Sequence, residues 1–145
     1  MLLLNITLKI KPIWLDSFIL KAQEIIKQAN LEHQNLSLLL CGKAKMRQLN
    51  AKYRKKDYPT DVLSWCYHSD ADGEGVLGEI VICYDRLKSQ AKINQWSQEI
   101  EALRLFAHGI AHILGYDHQT NKSAAKQMLL FEEELLSKIG LVGLY

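Results

Sequence analysis

This sequence has few of the residues that mark disulfide-bonded, fibrous or membrane-spanning chains. Its 145 residues include only three cysteines and two prolines. It has no run of about 18 apolar residues, as a transmembrane helix needs, and no basic segment with a cleavage site, as a signal peptide needs. Cys41, Cys66 and Cys83 are odd in number and lack C-x-x-C spacing. We therefore expect buried free thiols in a reducing compartment and a cytoplasmic protein.

Low-complexity runs and internal repeats are also missing, which argues against a disordered or solenoid chain. Apolar residues make up 48% and charged residues 23% of the sequence, as in ordinary soluble proteins. A chain of this length has ample room for one hydrophobic core and little for a second. We expect one domain that spans residues 1–145.

The formal net charge of +2 conceals an uneven distribution. Basic side chains without an intervening acid crowd residues 43–56: Lys43, Lys45, Arg47, Lys52, Arg54, Lys55 and Lys56. Such a segment attracts a polyanion such as nucleic acid, through phosphate contacts that salt weakens. A solvated helix face is the simpler interpretation of the charge alone.

Hydrophobic periodicity predicts an α+β fold, with one mixed sheet of about four strands surrounded by helices. The expected strands are Leu4 to Ile10, Leu36 to Cys41, Val62 to Tyr67 and Val76 to Tyr84, the last two being antiparallel across the turn from Ser69 to Gly75. The expected helices are 15–29 with Asn30 as its stop, 43 to about 53, 85 to about 95, 98–114 capped by Ser97, and 122–139 capped by Asn121. In the last helix the residues expected to face inward are Ala125, Met128, Leu129, Leu135 and Leu136.

Three of the five histidines fall in the segment His108-Gly-Ile-Ala-His112-Ile-Leu-Gly115-Tyr-Asp-His118. On a helix, His108 and His112 share one face, with Cβ atoms about 5 to 6 Å apart. A straight helix would carry His118 about 120° away from His112. Gly115 resolves this, because glycine adopts the left-handed conformation that ends a helix and turns the chain back. The sequence predicts a metal site at the C-terminal end of a buried helix.

Three neutral imidazoles without a fourth protein ligand are typical of a catalytic zinc that leaves one position to water. Zinc lowers the pKa of such a water to near 7 and so supplies hydroxide at neutral pH. Asp117 lies beside a predicted ligand, where it either orients an imidazole, accepts a proton from the water, or caps the turn after the helix. The alternative to a metal site is a group of core or boundary histidines that meet by chance.

The spacing also resembles the metzincin pattern H-E-x-x-H-x-x-G-x-x-H, in which the glutamate is the general base of a peptidase. Gly109 stands at that position, which argues against a peptidase. Glycine inside a helix costs about 1 kcal/mol relative to alanine. We therefore interpret Gly109 as a point of close packing with a neighbouring helix or strand, with close approach of a substrate as the alternative.

A turn-forming segment follows the basic residues. Asp57 and the run Pro59-Thr-Asp61 predict a tight turn before an apolar strand. That turn would aim Arg54, whose guanidinium presents paired donors to phosphate and can stabilise charge that develops at phosphorus. Spacing alone does not rank Arg54 above Lys55 or Lys56 as a substrate-binding residue, and an ordinary solvated arginine is the alternative.

Three segments of the chain resemble the YbeY family of bacterial metal-dependent endoribonucleases, also called rRNA maturation factors. They are HGIAHILGYDH at 108–118, LNAKYRKKDYPTDVLSW at 49–65 and LGEIVIC at 77–83, and the order of elements agrees over essentially the whole chain. The resemblance implies one zinc ion held by His108, His112 and His118, with Arg54 as the functional arginine. It further implies cleavage of single-stranded RNA in 3′-end maturation of small-subunit rRNA and in ribosome quality control, with ribosomal particles or their proteins as partners.

Three positions depart from the family's usual residues. Glu79 replaces aspartate, Trp65 replaces phenylalanine and Ala111 replaces leucine. None of these changes removes a predicted ligand. The role of Glu79 stays open, because a longer carboxylate either shifts a contact near the ligands or leaves it intact.

Our leading hypothesis is a hydrolase in which zinc-bound water attacks an RNA phosphodiester and residues 43–56 hold the backbone. Arg54 and Asp117 are the candidate catalytic residues, although the identity of the general base is left open. A ribosome-associated assembly factor with a mainly structural zinc is the alternative from another class. A zincin-like peptidase is the third hypothesis.

Overall fold

A computed structural model describes residues 1–67 and 75–145, so the turn predicted from Ser69 lies outside the described residues except for Gly75. The strands are β1 (Leu2–Ile6), β2 (Leu36–Cys41), β3 (Val62–Cys66) and β4 (Gly78–Cys83). The helices are α1 (Leu15–Gln28), α2 (Lys43–Arg54), α3 (Tyr84–Asn94), α4 (Gln98–Ile113) and α5 (Lys122–Ser137).

The four strands form one mixed sheet in the order β1-β2-β4-β3. β1, β2 and β4 are parallel neighbours, whereas β3 pairs with β4 in antiparallel fashion and lies at the edge. The α+β class, the mixed four-stranded sheet and the antiparallel pair are confirmed. Within the described part of the chain, every helix is too short or too polar to cross a membrane.

The first strand is shorter than predicted. It pairs from Leu2 opposite Leu36 to Ile6 opposite Leu40, and the extension to Ile10 is wrong. The reason is the length of its neighbour, because β2 ends at Cys41 and α2 begins two residues later. Alternating apolar and polar side chains predict a strand, but β1 can form backbone hydrogen bonds only along the length of its neighbour β2.

Helix α4 is the buried centre of the fold, as its apolar sequence predicts. It packs on β3 and β4 and also contacts α1, α3 and α5. Ser97 caps its start, because the hydroxyl oxygen accepts a hydrogen bond of 3.1 Å from the backbone N–H of Ile100. At Gly109 an added β-carbon would lie 3.0 Å from three side-chain carbons of Ile80 on β4. Close packing against a strand is therefore the confirmed reason for glycine at this position.

Two predictions of burial are wrong. Leu129 of α5 is 37% exposed. The helix buries Met128 and, four residues on, Glu132, so the inward face carries a carboxylate that hydrophobic periodicity does not reveal. Cys66 is exposed because it is the last residue of the edge strand, whereas Cys41 and Cys83 are buried as predicted.

Because a β-carbon at Gly109 would already lie 3.0 Å from Ile80, the larger valine side chain would overpack this contact, and we expect Gly109→Val to destabilise the protein by about 2 kcal/mol. The free energy of unfolding is measured with urea. Gln127→Val is the matched control, since it introduces the same side chain into an exposed interior position of α5. The control should cost well under about 1 kcal/mol. Equal losses for the two variants would contradict the packing role of Gly109.

Candidate metal centre

The structure brings the three predicted histidines together at the end of α4. His108 and His112 lie on its last turns and His118 follows in the loop. One ring nitrogen from each histidine lies within 4.8 Å of the others, so the cluster could hold a metal ion. The ring centroids are 4.7 Å apart for His108 and His112, 5.3 Å for His108 and His118, and 5.2 Å for His112 and His118.

Gly115 makes the predicted chain reversal. Its φ of 96° is in the left-handed region, its N–H donates to the carbonyl of His112, and the N–H of Tyr116 donates to the carbonyl of Ala111, both at 3.0 Å. This pair of hydrogen bonds is a Schellman motif, which ends a helix and turns the chain. The Tyr116 ring then stacks on Phe131 of α5, with centroids 4.5 Å apart. The start of the loop that carries His118 is thus held by two backbone hydrogen bonds and by one aromatic contact with α5.

A buried carboxylate supports one of the three imidazoles. The Nδ1 atom of His108 is hydrogen-bonded to the Glu132 side chain, which is only 5% exposed. This contact leaves Nε2 of His108 as the nitrogen available to a metal, and a carboxylate at Nδ1 fixes the ring orientation and raises its basicity. Sequence reasoning missed Glu132 in this role. Its four-residue spacing from the inward-facing Met128 is the signal that could have found it.

The charge state of His112 also suits a cation. Burial lowers the pKa of His112, and the neighbouring His108 and His118 lower it further. His112 is therefore neutral at neutral pH, which is the form that binds a metal. Three imidazoles with one oriented by a carboxylate are a donor set that fits zinc and related divalent ions. Within residues 1–67 and 75–145, these three histidines thus fit a metal centre that leaves one coordination position open.

A cavity of about 340 Å³ opens beside the histidines and brings Arg54 to the same site. Its other described walls come from the turn before β3, from β3 itself and from the loop after α4: Thr60, Asp61, Val62, Leu63, Ser64, Asp117 and Gln119. Lys55 and Lys56 are exposed and are not among the described lining residues. The structure therefore separates Arg54 from the two lysines that follow it, a distinction that spacing alone did not make.

The position of Arg54 depends on the turn after α2. Buried Asn50 donates a 2.7 Å hydrogen bond to the carbonyl of Tyr58, and Arg47 makes a two-pronged ion pair with Asp57 at 2.8 and 3.0 Å. The predicted turn is thus tied to the helix at two points. Asn50 was missed from the sequence, where it is one polar residue inside a basic segment.

Asp117 lies on the cavity wall and also holds the loop. One carboxylate oxygen accepts a 2.8 Å hydrogen bond from the N–H of Gln119, and the other accepts from the hydroxyl of Thr120. The Thr120 contact, followed by the Gln119 contact, lowers the pKa of Asp117. Its side chain is therefore an anion at neutral pH that faces the same cavity as His118.

Glu79, whose role the sequence left open, lies on β4 opposite Trp65. Its carboxylate accepts a hydrogen bond from the Tyr67 hydroxyl. It is not among the described residues that line the cavity.

Comparison with known proteins gives one consistent result. A family model described as endoribonuclease YbeY matches residues 7–140. The proteins named endoribonuclease YbeY from Neorickettsia sennetsu and Aquifex aeolicus are 36% and 38% identical to this chain. The alignments cover 89% and 81% of this chain and 88% and 79% of those proteins. A solution structure from Thermotoga maritima aligns with a TM-score of 0.62 and 26% identity over 96% of this chain and 91% of that one.

If Glu132 orients His108, Glu132→Gln should weaken metal affinity by about 10- to 100-fold, because an amide is a weaker hydrogen-bond partner for the imidazole than a carboxylate. Affinity is measured by competition with a chelator, and metal content by elemental analysis beside His112→Ala, which should lose the metal. Glu134→Gln is the matched control, since it makes the same change at an exposed position of α5. Unchanged affinity in Glu132→Gln would refute the orienting role.

Proposed function

Because the chain belongs to the YbeY family of endoribonucleases, we propose that it is a zinc-dependent hydrolase that cuts single-stranded RNA within the strand. The observation that carries this proposal is the shared cavity, which holds three convergent imidazoles and one guanidinium. The imidazoles of His108, His112 and His118 would be the zinc ligands. A bound divalent ion supplies a Lewis acid that lowers the pKa of water and polarises a phosphoryl oxygen.

The protein's own side chains would bind and orient the RNA around that centre. Arg54 lies on the wall formed by the end of α2, so its guanidinium can donate to the phosphate that enters the cavity. Hydrogen bonds from this group would stabilise charge that develops on the phosphate oxygens. Lys55 and Lys56, which follow Arg54 in the chain and are exposed, would contact the backbone on either side of the reacting phosphate.

Asp117 is our candidate for the group that orients or deprotonates the attacking water. Its carboxylate is ionised at neutral pH and lies on the cavity wall with His118. The hydrogen bonds from Gln119 and Thr120 hold it in one position. A positioned carboxylate of this kind typically contributes through general base catalysis.

The family relationship also supports a more specific setting. We propose that the substrate is ribosomal RNA, with 3′-end maturation of the small-subunit rRNA and ribosome quality control as the processes. Ribosomal particles or their proteins would be the partners, and the cytoplasm the compartment. The exposed basic residues of α2 suit such a polyanionic partner.

The two other hypotheses make different demands on the site. A zincin-like peptidase needs a glutamate at the position of Gly109, where the chain has glycine and Ile80 would lie 3.0 Å from an added β-carbon. A ribosome-associated assembly factor with a structural metal predicts that His118→Ala unfolds. A catalytic centre predicts a folded, inactive His118→Ala, since His118 lies in an exposed loop.

We expect Arg54→Ala to lower kcat/KM for single-stranded RNA by about 100-fold while metal content stays unchanged, because it removes one donor to the developing charge. Initial cleavage rates of the zinc-loaded protein measure the effect. Arg86→Ala is the matched control, since it removes an exposed arginine of α3.

Equal rates for Arg54→Ala and Arg86→Ala would contradict a role of Arg54 in the reaction. A zinc-loaded wild-type protein that cuts no single-stranded RNA faster than His112→Ala would overturn the nuclease proposal. Metal binding without cleavage would then favour the assembly factor.

Asp117→Asn tests the proposed proton acceptor. Asparagine keeps an oxygen that can accept from the N–H of Gln119 but removes the negative charge, so kcat should fall by about 100-fold without loss of zinc. Thr120→Val removes the other hydrogen bond of the loop and is the control for a purely structural effect. A similar, small loss in both variants would show that Asp117 only holds the turn.

A further inference from the structure

Two aromatic side chains form a stacked pair on α2 and β3, the helix and strand that also contribute residues to the cavity. Tyr53 lies near the end of α2, and Trp65 lies on β3. Their ring centroids are 5.0 Å apart, with an angle of 29° between the planes. Trp65 is partly buried against the residues under α2, whereas Tyr53 is 54% exposed. The Tyr53 ring is thus stacked on Trp65 and remains more than half exposed.

Each member of this pair is the chain neighbour of a residue that lines the cavity. Tyr53 precedes Arg54, and Trp65 follows Ser64. Successive side chains of a strand point to opposite faces, so Trp65 lies across β3 from Ser64. Among the described residues, β3 is the edge strand of the sheet, so a polymer held in the cavity can reach this edge. The helix end and the strand that line the cavity thus also carry the aromatic pair.

The charges around the pair suit a nucleic acid. The ammonium of Lys52 lies 5.1 Å from the centroid of the Tyr53 ring. Lys52, Arg54, Lys55 and Lys56 are all exposed, and within residues 1–67 and 75–145 none of them forms an ion pair. The carboxylate of Glu79, opposite Trp65 on β4, accepts a hydrogen bond from Tyr67. Lys52 thus brings a positive charge to an exposed aromatic ring within a basic segment, as in proteins that bind single strands.

We propose that Tyr53, supported by Trp65, is a stacking platform for one nucleobase of single-stranded RNA next to the phosphate in the cavity. This inference rests on the proposed function for the identity of the ligand. Stacking on an aromatic face is tolerant of base identity, and it requires a base that is not held in a duplex. The platform would therefore contribute to the choice of single strands and not to sequence selection.

Affinity for a short oligouridine with phosphorothioate linkages tests the proposal, because nucleases hydrolyse such linkages slowly. Fluorescence anisotropy then reports binding whether or not the protein cleaves RNA. We expect Tyr53→Leu to weaken binding by about tenfold and Tyr53→Phe to leave it nearly unchanged. Leucine still covers Trp65 but lacks a π face. Tyr58→Leu is the matched control, because Tyr58 is 51% exposed in the following turn.

An abasic oligonucleotide separates stacking from contact with the backbone. Each nucleotide is replaced in turn by an abasic one. Loss of the base at one position should weaken binding to the wild-type protein. For that oligonucleotide, Tyr53→Leu should lower the affinity little further. Equal affinity of wild type and Tyr53→Leu, equal loss in Tyr53→Phe, or the same effect of Tyr53→Leu on every abasic oligonucleotide would overturn the platform. Binding that depends on Tyr53 without any cleavage would overturn the nuclease proposal alone.

Discussion

The contact between Gly109 and Ile80 is the constraint on which the rest of the site depends. Because glycine has no side chain, α4 can approach β4 to within the reach of the Ile80 side chain. His108, which precedes Gly109, and His112, three residues after it, then line the cavity together with residues of β3. The packing of one helix on one strand thus determines both the core and the direction of two imidazoles.

The side chains of the candidate site are held in place by different helices and turns. The histidines depend on α4 and its terminal turn, and the orientation of His108 depends on Glu132 of α5. The position of Arg54 depends on the turn after α2, which Asn50 holds through its hydrogen bond to Tyr58. Helix α2 packs on the face of the sheet opposite to α4. The three imidazoles and the guanidinium of Arg54 therefore meet only when helices on both faces of the sheet are in place.

Features of this structure that depend on residues close together in the chain can be predicted from the sequence, whereas features that depend on distant partners cannot. The helix, the left-handed Gly115 and the meeting of three histidines are encoded within a few turns of chain, and local geometry suffices to predict them. Glu132 is different, because its burial depends on what faces α5 in the folded protein. The length of β1 and the exposure of Cys66 likewise depend on partners and on edge position, which a hydrophobic pattern does not record.

The Schellman turn at Gly115 has a consequence for how the site forms. All three imidazoles belong to a segment of eleven consecutive residues, from His108 to His118, so the chain entropy lost in bringing them together is small. An ion could therefore be captured as soon as this helix and turn exist. Glu132 would contact His108 only after α5 has packed against α4. It would then raise the affinity of a site that already holds the ion. In this order of assembly, ion capture would be a local event and the contact with Glu132 would depend on tertiary packing.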